Sequence, residues 1–331
     1  MKHLKRYIRQ FFRDLRRIFI NGWLLRGYRR KIPRTLIIEP TNVCNLHCSC
    51  CPHGNENEKG RPDGFMSRQI FDKIIGHIDT PVKHVCLYLH GEPFLNKELD
   101  YFVGKLDQKR ILTTVYSNGY NMDLGLLEKV LKYPQIQFSF SIDVFSKENY
   151  EQIRQPAKYE TMMKQLAVID RVFEEHRKKF EITMVIGSEN FEHTHGICKK
   201  LFADYHSLKK ISFGSKFPWP EYFYTGELHE RLSKKRHLCA QMEGNASVYW
   251  NGEVTICSYD FSGKLVIGDL TENKLSEVYN SSVARKIRKY HYLRRYSKIS
   301  VCQKCILPRY KSSSWAVTRK QALSEKQITG K

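Results

Sequence analysis

Between Arg34 and Gly214 the chain changes hydrophobic period again and again, and that alternation restricts the fold more than any other feature. Six apolar runs have the length of strands: 35–40, 84–90, 111–117, 136–142, 180–186 and 210–214. Between them apolar residues return every three or four positions. One such stretch follows Ser67, which is placed to N-cap the turn carrying Ile70, Phe71 and Ile74; the others are 97–108, 122–132, 159–178 and 191–205. Strand and helix in alternation make an all-parallel sheet with a helical cover. Six units are too few for an eight-stranded closed barrel. In such sheets the loops that follow the strands build the site.

The loop after the first strand carries Cys44-Asn-Leu-His-Cys48-Ser-Cys-Cys51, three cysteines at the spacing C-x₃-C-x₂-C. Such a loop can turn three thiolates onto one metal cluster. Four would close a tetrahedral zinc site; three leave a position open. A zinc site completed by His47 or His53 fits the same spacing, as do three thiols crowded together with no metal. After the second strand comes His90-Gly91-Glu92-Pro93. Gly91 permits close backbone approach, and Glu92 can accept hydrogen bonds from a cation. Ser117-Asn118-Gly119, after the third strand, is by itself a turn signal. The fourth strand ends Ser139-Phe-Ser141-Ile-Asp143, and Arg154 stands on the next helix.

Beyond a connector at 216–238 the rhythm changes. Cys239 and Cys257 flank Gly252, and Cys302-Gln-Lys-Cys305 adds a C-x₂-C pair after a helical segment at about 276–292. Residues 247–257 read as a hairpin with Asn251-Gly252 as its two-residue turn. Four thiolates can therefore enclose one ion or one cluster, and a structural zinc site fits this spacing. Of the remaining cysteines, Cys198 and Cys86 read as buried; Cys86, on a barrel strand, is alternatively placed to face the lumen.

The first loop resembles the signature C-x₃-C-x-(aromatic)-C of the radical S-adenosylmethionine (radical SAM) enzymes, with Cys50 in the aromatic position. The later loops resemble that family's G-G-E-P, with His90 for the first Gly, its T-N-G, and its ribose-contacting S-x-D. The resemblance implies a partial (β/α)₆ barrel, here followed by a small α+β iron–sulfur domain and preceded by an extra amphipathic helix. It implies that Cys44, Cys48 and Cys51 hold a [4Fe–4S] cluster whose fourth iron is chelated by SAM. His90, Gly91, Glu92, Pro93, Ser117, Asn118, Ser141, Asp143 and Arg154 then contact SAM. The second cysteine set resembles the short "twitch" form of the SPASM extension. That implies an auxiliary [4Fe–4S] cluster held by Cys239, Cys257, Cys302 and Cys305. The implied activity is cleavage of SAM to a 5′-deoxyadenosyl radical, abstraction of a substrate hydrogen, and oxidation of the substrate radical through the auxiliary cluster. Relatives of this type dehydrogenate aminocyclitols, so the implied substrate is a sugar-like or cyclitol alcohol. Epimerisation and peptide modification are the family's alternative outcomes.

Charge bears on partners. The 331 residues carry a formal net charge of +22. Twelve Lys/Arg and one acid fall within residues 1–34. This balance suits an anionic substrate, an acidic electron donor such as flavodoxin or ferredoxin, or an anionic membrane. Residues 2–30 read as a basic amphipathic helix, suited either to a membrane surface or to packing across the barrel bottom. No signal peptide and no span of about 18 apolar residues is legible. The expected location is therefore the cytoplasm, with the inner membrane face as the alternative, and reduced thiols. The expected division is a helix at 1–33, a barrel at 34–215, the connector, a cluster domain at 239–308 and a basic tail at 309–331. A basic zinc protein that binds nucleic acid is the competing class; the motifs at successive strand ends point away from it.

Overall fold

A computed structural model describes residues 32–54, 60–186, 191–215, 239–303, 305 and 315–323. The amphipathic helix expected at 2–30 and the connector at 216–238 lie outside the described residues. All six strand candidates form: β1 (Thr35–Ile38), β2 (His84–Leu87), β3 (Leu112–Ser117), β4 (Ile136–Ser141), β5 (Phe180–Ile186) and β6 (Leu208–Ser215). Each pairs in parallel with the next. Helices α1 (Arg68–Gly76), α2 (Leu99–Gln108), α3 (Leu124–Leu131), α4 (Lys147–Ile153), α5 (Tyr159–Glu175) and α6 (Phe191–Asp204) stand between them. Ser67 caps α1 as the pattern predicts, accepting from the Ile70 amide at 3.2 Å. Asp123 and Ser146 cap α3 and α4 in the same way, which satisfies N–H groups that the first helical turn leaves unpaired.

The strands alternate between two environments. Val85, Leu87, Val115, Phe138, Phe140, Ile182, Met184, Ile211 and Phe213 point outward into the helical cover. There Phe71 stacks on Phe102 at 4.4 Å, and the Phe173 ring edge meets Phe138 at 5.3 Å and Phe180 at 5.1 Å. The inward face is polar. His84 Nε2 lies 2.8 Å from Thr114 Oγ1, Ser139 Oγ lies 3.0 Å from Thr183 Oγ1, and Lys210 pairs with Glu181 at 2.6 Å. A sheet greasy on one side and polar on the other is a wall with a core behind it and a cavity before it.

The barrel is open. β1 pairs on its far side with β7 (Ser247–Val248), in parallel, rather than with β6. β8 (Glu253–Thr255) and β9 (Val266–Asp269) continue the same sheet. The C-terminal unit therefore extends the barrel wall, in the order β6-β5-β4-β3-β2-β1-β7-β8-β9. The hairpin expected at 247–257 is present, with a different turn. Tyr249 and Glu253 close the ladder, leaving Trp250-Asn251-Gly252 as a three-residue loop, with Gly252 at φ 97°. That is a three-residue hairpin ending in a left-handed glycine. Helix α7 (Ala240–Gly244) precedes the hairpin, and α8 (Leu275–Tyr279), α9 (Ser282–Tyr292) and α10 (Ser300–Gln303) follow β9. The single helix expected at 276–292 is thus two. Ser281 breaks it, capping the Ala284 amide at 3.2 Å while donating to the Ile267 carbonyl at 2.7 Å.

Part of the expected basic tail is structured. β10 (Trp315–Thr318) pairs antiparallel with β6, and α11 (Arg319–Ala322) follows. Val317 and Ala322 are fully buried, and Arg319 donates to the Tyr205 carbonyl at 2.7 Å. The polar average of the stretch conceals four residues suited to a strand, Trp-Ala-Val-Thr, and an unprotected edge for them to cover.

Candidate active site

The strand-end loops converge as the motifs require. The cysteine loop leaves β1, crosses the rim and docks on the end of α4, where His47 N donates to the Gln155 carbonyl (2.6 Å) and Ser49 N to that of Ile153 (2.9 Å). Gly91 packs against its start. A Cβ on Gly91 would lie 2.3 Å from the Thr41 carbonyl oxygen and 2.6 Å from that of Val43. No side chain fits there, so glycine is required for packing. Glu92 N then donates to the Val43 carbonyl at 2.9 Å.

Glu92 is buried, and its carboxylate organises the next loop. Oε1 accepts from the Phe94 amide (3.1 Å) and Ser117 Oγ (2.8 Å), and Oε2 from the Asn118 amide (2.7 Å). Burial pushes its carboxyl above the usual range against the pull of those donors. About one of its four acceptor positions is left for a ligand. Asn118 Nδ2 reaches back to Asn45 Oδ1 at 2.8 Å, and Asn45 Nδ2 donates to the Tyr120 carbonyl at 2.9 Å, tying the third-strand turn to the cysteine loop. On the opposite side Arg154 is buried against Asp143, with Nη2 2.6 Å from Oδ2, and donates to Ser141 Oγ at 2.8 Å. Its Nη1 lies 3.7 Å from Cys48 Sγ. Burial opposes the Arg154 charge, and the Asp143 carboxylate more than restores it.

These groups enclose a cavity of about 260 Å³. Cys44, Cys48, Cys51, His90, Gly91, Glu92, Ser117, Asn118, Ser141 and Arg154 all line it. Two of the predicted residues do not. Pro93 starts a buried 3-10 turn, and Asp143 stands behind Arg154. Leu46, Cys50, His53, Tyr88, Leu89 and Tyr116 complete the lining. Burial pushes the Cys44 thiol up to about 12, and raises those of Cys48 and Cys51 as well. A bound cationic cluster reverses that penalty, because it stabilises thiolate directly.

The second set also converges. Cys239, Cys257, Cys302 and Cys305 are all buried, and Cys257 interacts electrostatically with the other three. Asp260 shapes the loop after Cys257, accepting from Thr255 Oγ1 (3.0 Å), Tyr249 Oη (3.0 Å) and the Leu265 amide (2.7 Å). His291 Nε2 lies 3.2 Å from Cys302 Sγ. Among the described residues no three His, Cys, Asp or Glu side chains are gathered tightly enough for a single metal ion. The donor sets are three thiolates in the first loop and four in the second, the numbers an open and a closed iron–sulfur cluster take.

One buried network was not read from sequence. Glu39, at the end of β1, is fully buried and bidentate with Arg61 at 2.8 and 2.9 Å. The Arg61 guanidinium lies 3.5 Å over the Tyr249 ring. His90 Nδ1 lies 3.3 Å from Glu39 Oε1, and its Nε2 is 3.1 Å from the Ser258 carbonyl, next to Cys257. Burial would raise the Glu39 carboxyl, but His90 and Arg61 bring it down to about 2. The departure at His90 is thereby explained: its ring spans from β1 to the loop of the second cysteine set. A carboxylate directly after the apolar run of β1 was the available signal; Arg61 offered none.

Residues 38–201 match the family described as the Radical SAM superfamily, and residues 239–306 the SPASM iron-sulfur cluster-binding domain. The chain is a radical SAM enzyme. Its cofactors are accordingly [4Fe–4S] clusters and SAM. The enzyme is 22% identical over 272 residues to an S-adenosyl-L-methionine-dependent 2-deoxy-scyllo-inosamine dehydrogenase of Niallia circulans, covering 81% of this chain and 90% of that protein. Its fold is similar to BtrN in complex with AdoMet and 2-DOIA, with TM-score 0.54 and 19% identity over 83% of this chain and 94% of that one. It is also similar to Streptococcus suis SuiB bound to precursor peptide SuiA (0.64, 16%, 87% and 73%) and to native anSMEcpe with bound AdoMet (0.60, 16%, 89% and 92%). Among the described residues no helix is long and apolar enough to cross a membrane.

Proposed function

We propose that the enzyme oxidises a secondary alcohol of a small sugar-like or cyclitol substrate to a ketone. Cys44, Cys48 and Cys51 hold the SAM-binding cluster in this reading, and Cys239, Cys257, Cys302 and Cys305 the auxiliary one. When bound, these groups supply reductive cleavage of SAM, a hydrogen-abstracting 5′-deoxyadenosyl radical and a seat for the substrate's second electron.

The observation that carries the substrate reading is the inner barrel face. Tyr88 and Tyr116 lie with ring centroids 4.5 Å apart, both lining the cavity. Neither phenol hydroxyl makes a hydrogen bond among the described residues. Burial pushes the Tyr116 hydroxyl up to about 12 and raises that of Tyr88, so both stay protonated donors. Ring faces with hydroxyl tips suit a polyol, whose C–H face is apolar and whose edge is polar. The charges on this face are already paired, Lys210 with Glu181 and Arg154 with Asp143, which favours a neutral substrate over an anionic one. The dehydrogenase from Niallia circulans, named for a cyclitol amine, supports the same class.

A second reading has one observation in its favour. Cys86 stands on the inner face beside Tyr88 and Tyr116, outside the hydrophobic cluster. A thiol there can return a hydrogen atom to a substrate carbon, giving epimerisation. Incubating the reduced enzyme with SAM and carbon-deuterated polyols in H₂O separates the two. Dehydrogenation gives deuterated 5′-deoxyadenosine and a ketone. Epimerisation gives deuterated 5′-deoxyadenosine and a substrate carrying solvent hydrogen. Absence of label in deoxyadenosine for every polyol would overturn the substrate class.

A further inference from the structure

The second cysteine set lies beneath a strongly basic surface. Between Ser281 and Val301 the sequence holds no Asp or Glu. Arg285, Lys286 and Lys289 are exposed on α9, and Arg294, Arg295 and Lys298 on the turn that follows. The opposite side of the same helix is buried, and it carries His291, whose Nε2 lies 3.2 Å from Cys302 Sγ. The helix and the turn after it thus present six cations to solvent, and the helix places a side chain against a cysteine of the second set on its inner side. Two large apolar residues are also exposed, Val283 at 46% and Leu293 at 44%. They stand ten residues apart, about 15 Å along the helix, so they bracket the cations on α9.

We propose that this face of α9 and its following turn is the docking surface for an acidic one-electron carrier protein. The inference rests on the reading of the second cysteine set as an iron–sulfur centre. Oxidation of a secondary alcohol to a ketone removes one hydrogen atom, one further electron and one proton. The hydrogen atom leaves in 5′-deoxyadenosine and the proton goes to solvent. Reductive cleavage of SAM consumes one electron and the substrate radical returns one, so the turnover is redox-neutral; a one-electron carrier docked on the α9 side of Cys302 takes up the returned electron and becomes the reductant for the next cleavage. Exposed cations steer an acidic partner into an encounter and leave the final fit to apolar contacts. Val283 and Leu293 supply those contacts within a charged rim. A solvated helix face serving solubility alone gains nothing from either of them.

The test uses the reconstituted full-length enzyme and purified oxidised flavodoxin, an acidic carrier, with affinity measured by titration at 50 and 200 mM salt. The expected result is saturable binding that weakens at least tenfold across that salt range. The triple variant Arg285→Glu, Lys286→Glu, Lys289→Glu weakens it at least tenfold further. A second triple, Lys129→Glu, Lys132→Glu, Lys199→Glu, makes the same net-charge change on α3, on the residue that ends it, and on α6, and retains wild-type affinity. Both triples keep wild-type iron content and dithionite-driven SAM cleavage, which shows that they fold. Equal weakening by the two triples overturns the proposal. So does tighter binding of anionic vesicles or a DNA duplex through the same three residues. An iron content of only about four per chain in the wild-type enzyme would instead count against the underlying reading of the second cysteine set, and the two failures are distinct.

Discussion

Glu39 and Arg61 show what single side chains contribute here. Both are buried, and removing one leaves the other's charge without its partner, which costs about 3 kcal/mol. Glu39→Gln is expected to lower the thermal midpoint accordingly. The Glu39 pKa is depressed to about 2, so its contribution is complete above the unfolded value of about 4.3 and is lost only as pH falls through about 2. The cost of Glu39→Gln therefore persists at pH 5; a cost that vanished between pH 8 and pH 5 would contradict the ion pair. Gly91→Ala forces a methyl group onto two carbonyl oxygens and shifts the cysteine loop. Its SAM affinity, by equilibrium dialysis, is expected to fall at least tenfold. At this scale the cysteines were legible because metal ligation imposes spacing on sequence. The Arg61 partnership was not, because two residues 22 positions apart meet only after the chain has folded.

Elements were easier to read than their ends. The six strands and their helices follow from hydrophobic period, which tertiary packing reinforces. β1 ends at Ile38, short of the predicted 40, because Pro40 has no amide to continue the ladder. The split of α8 from α9 turned on one hydroxyl, that of Ser281, which competes with helix continuation by capping. Ser281→Ala is expected to cost about 1 kcal/mol, read as a lowered denaturation midpoint. β10 went unread because four strand residues sit within a basic stretch and gain their stability from an edge supplied by β6. Deleting residues 315–323 exposes that edge. The truncated enzyme is expected to aggregate on concentration, as light scattering would show; a monodisperse truncation would contradict this role for β10.

At the scale of the molecule, one continuous sheet carries two cysteine sets. β1 leads into the first, while β7, paired to β1, leads through its hairpin into Cys257 of the second. The Glu39, Arg61 and His90 network crosses the same seam. Legibility was weakest here. The motifs named the two sets separately, and only the sheet order shows that a single wall holds both in register. The central claim is that the first set holds a cluster with an open iron for SAM and the second a closed one. The most direct measurement is electron paramagnetic resonance of the reduced, anaerobically reconstituted enzyme with and without SAM, beside a Cys44→Ala, Cys48→Ala, Cys51→Ala variant. The account predicts about eight irons in the wild type and a signal that SAM shifts, with about four irons and a SAM-insensitive signal in the variant. A wild-type spectrum unchanged by SAM, or a variant that still responds to it, would contradict the account.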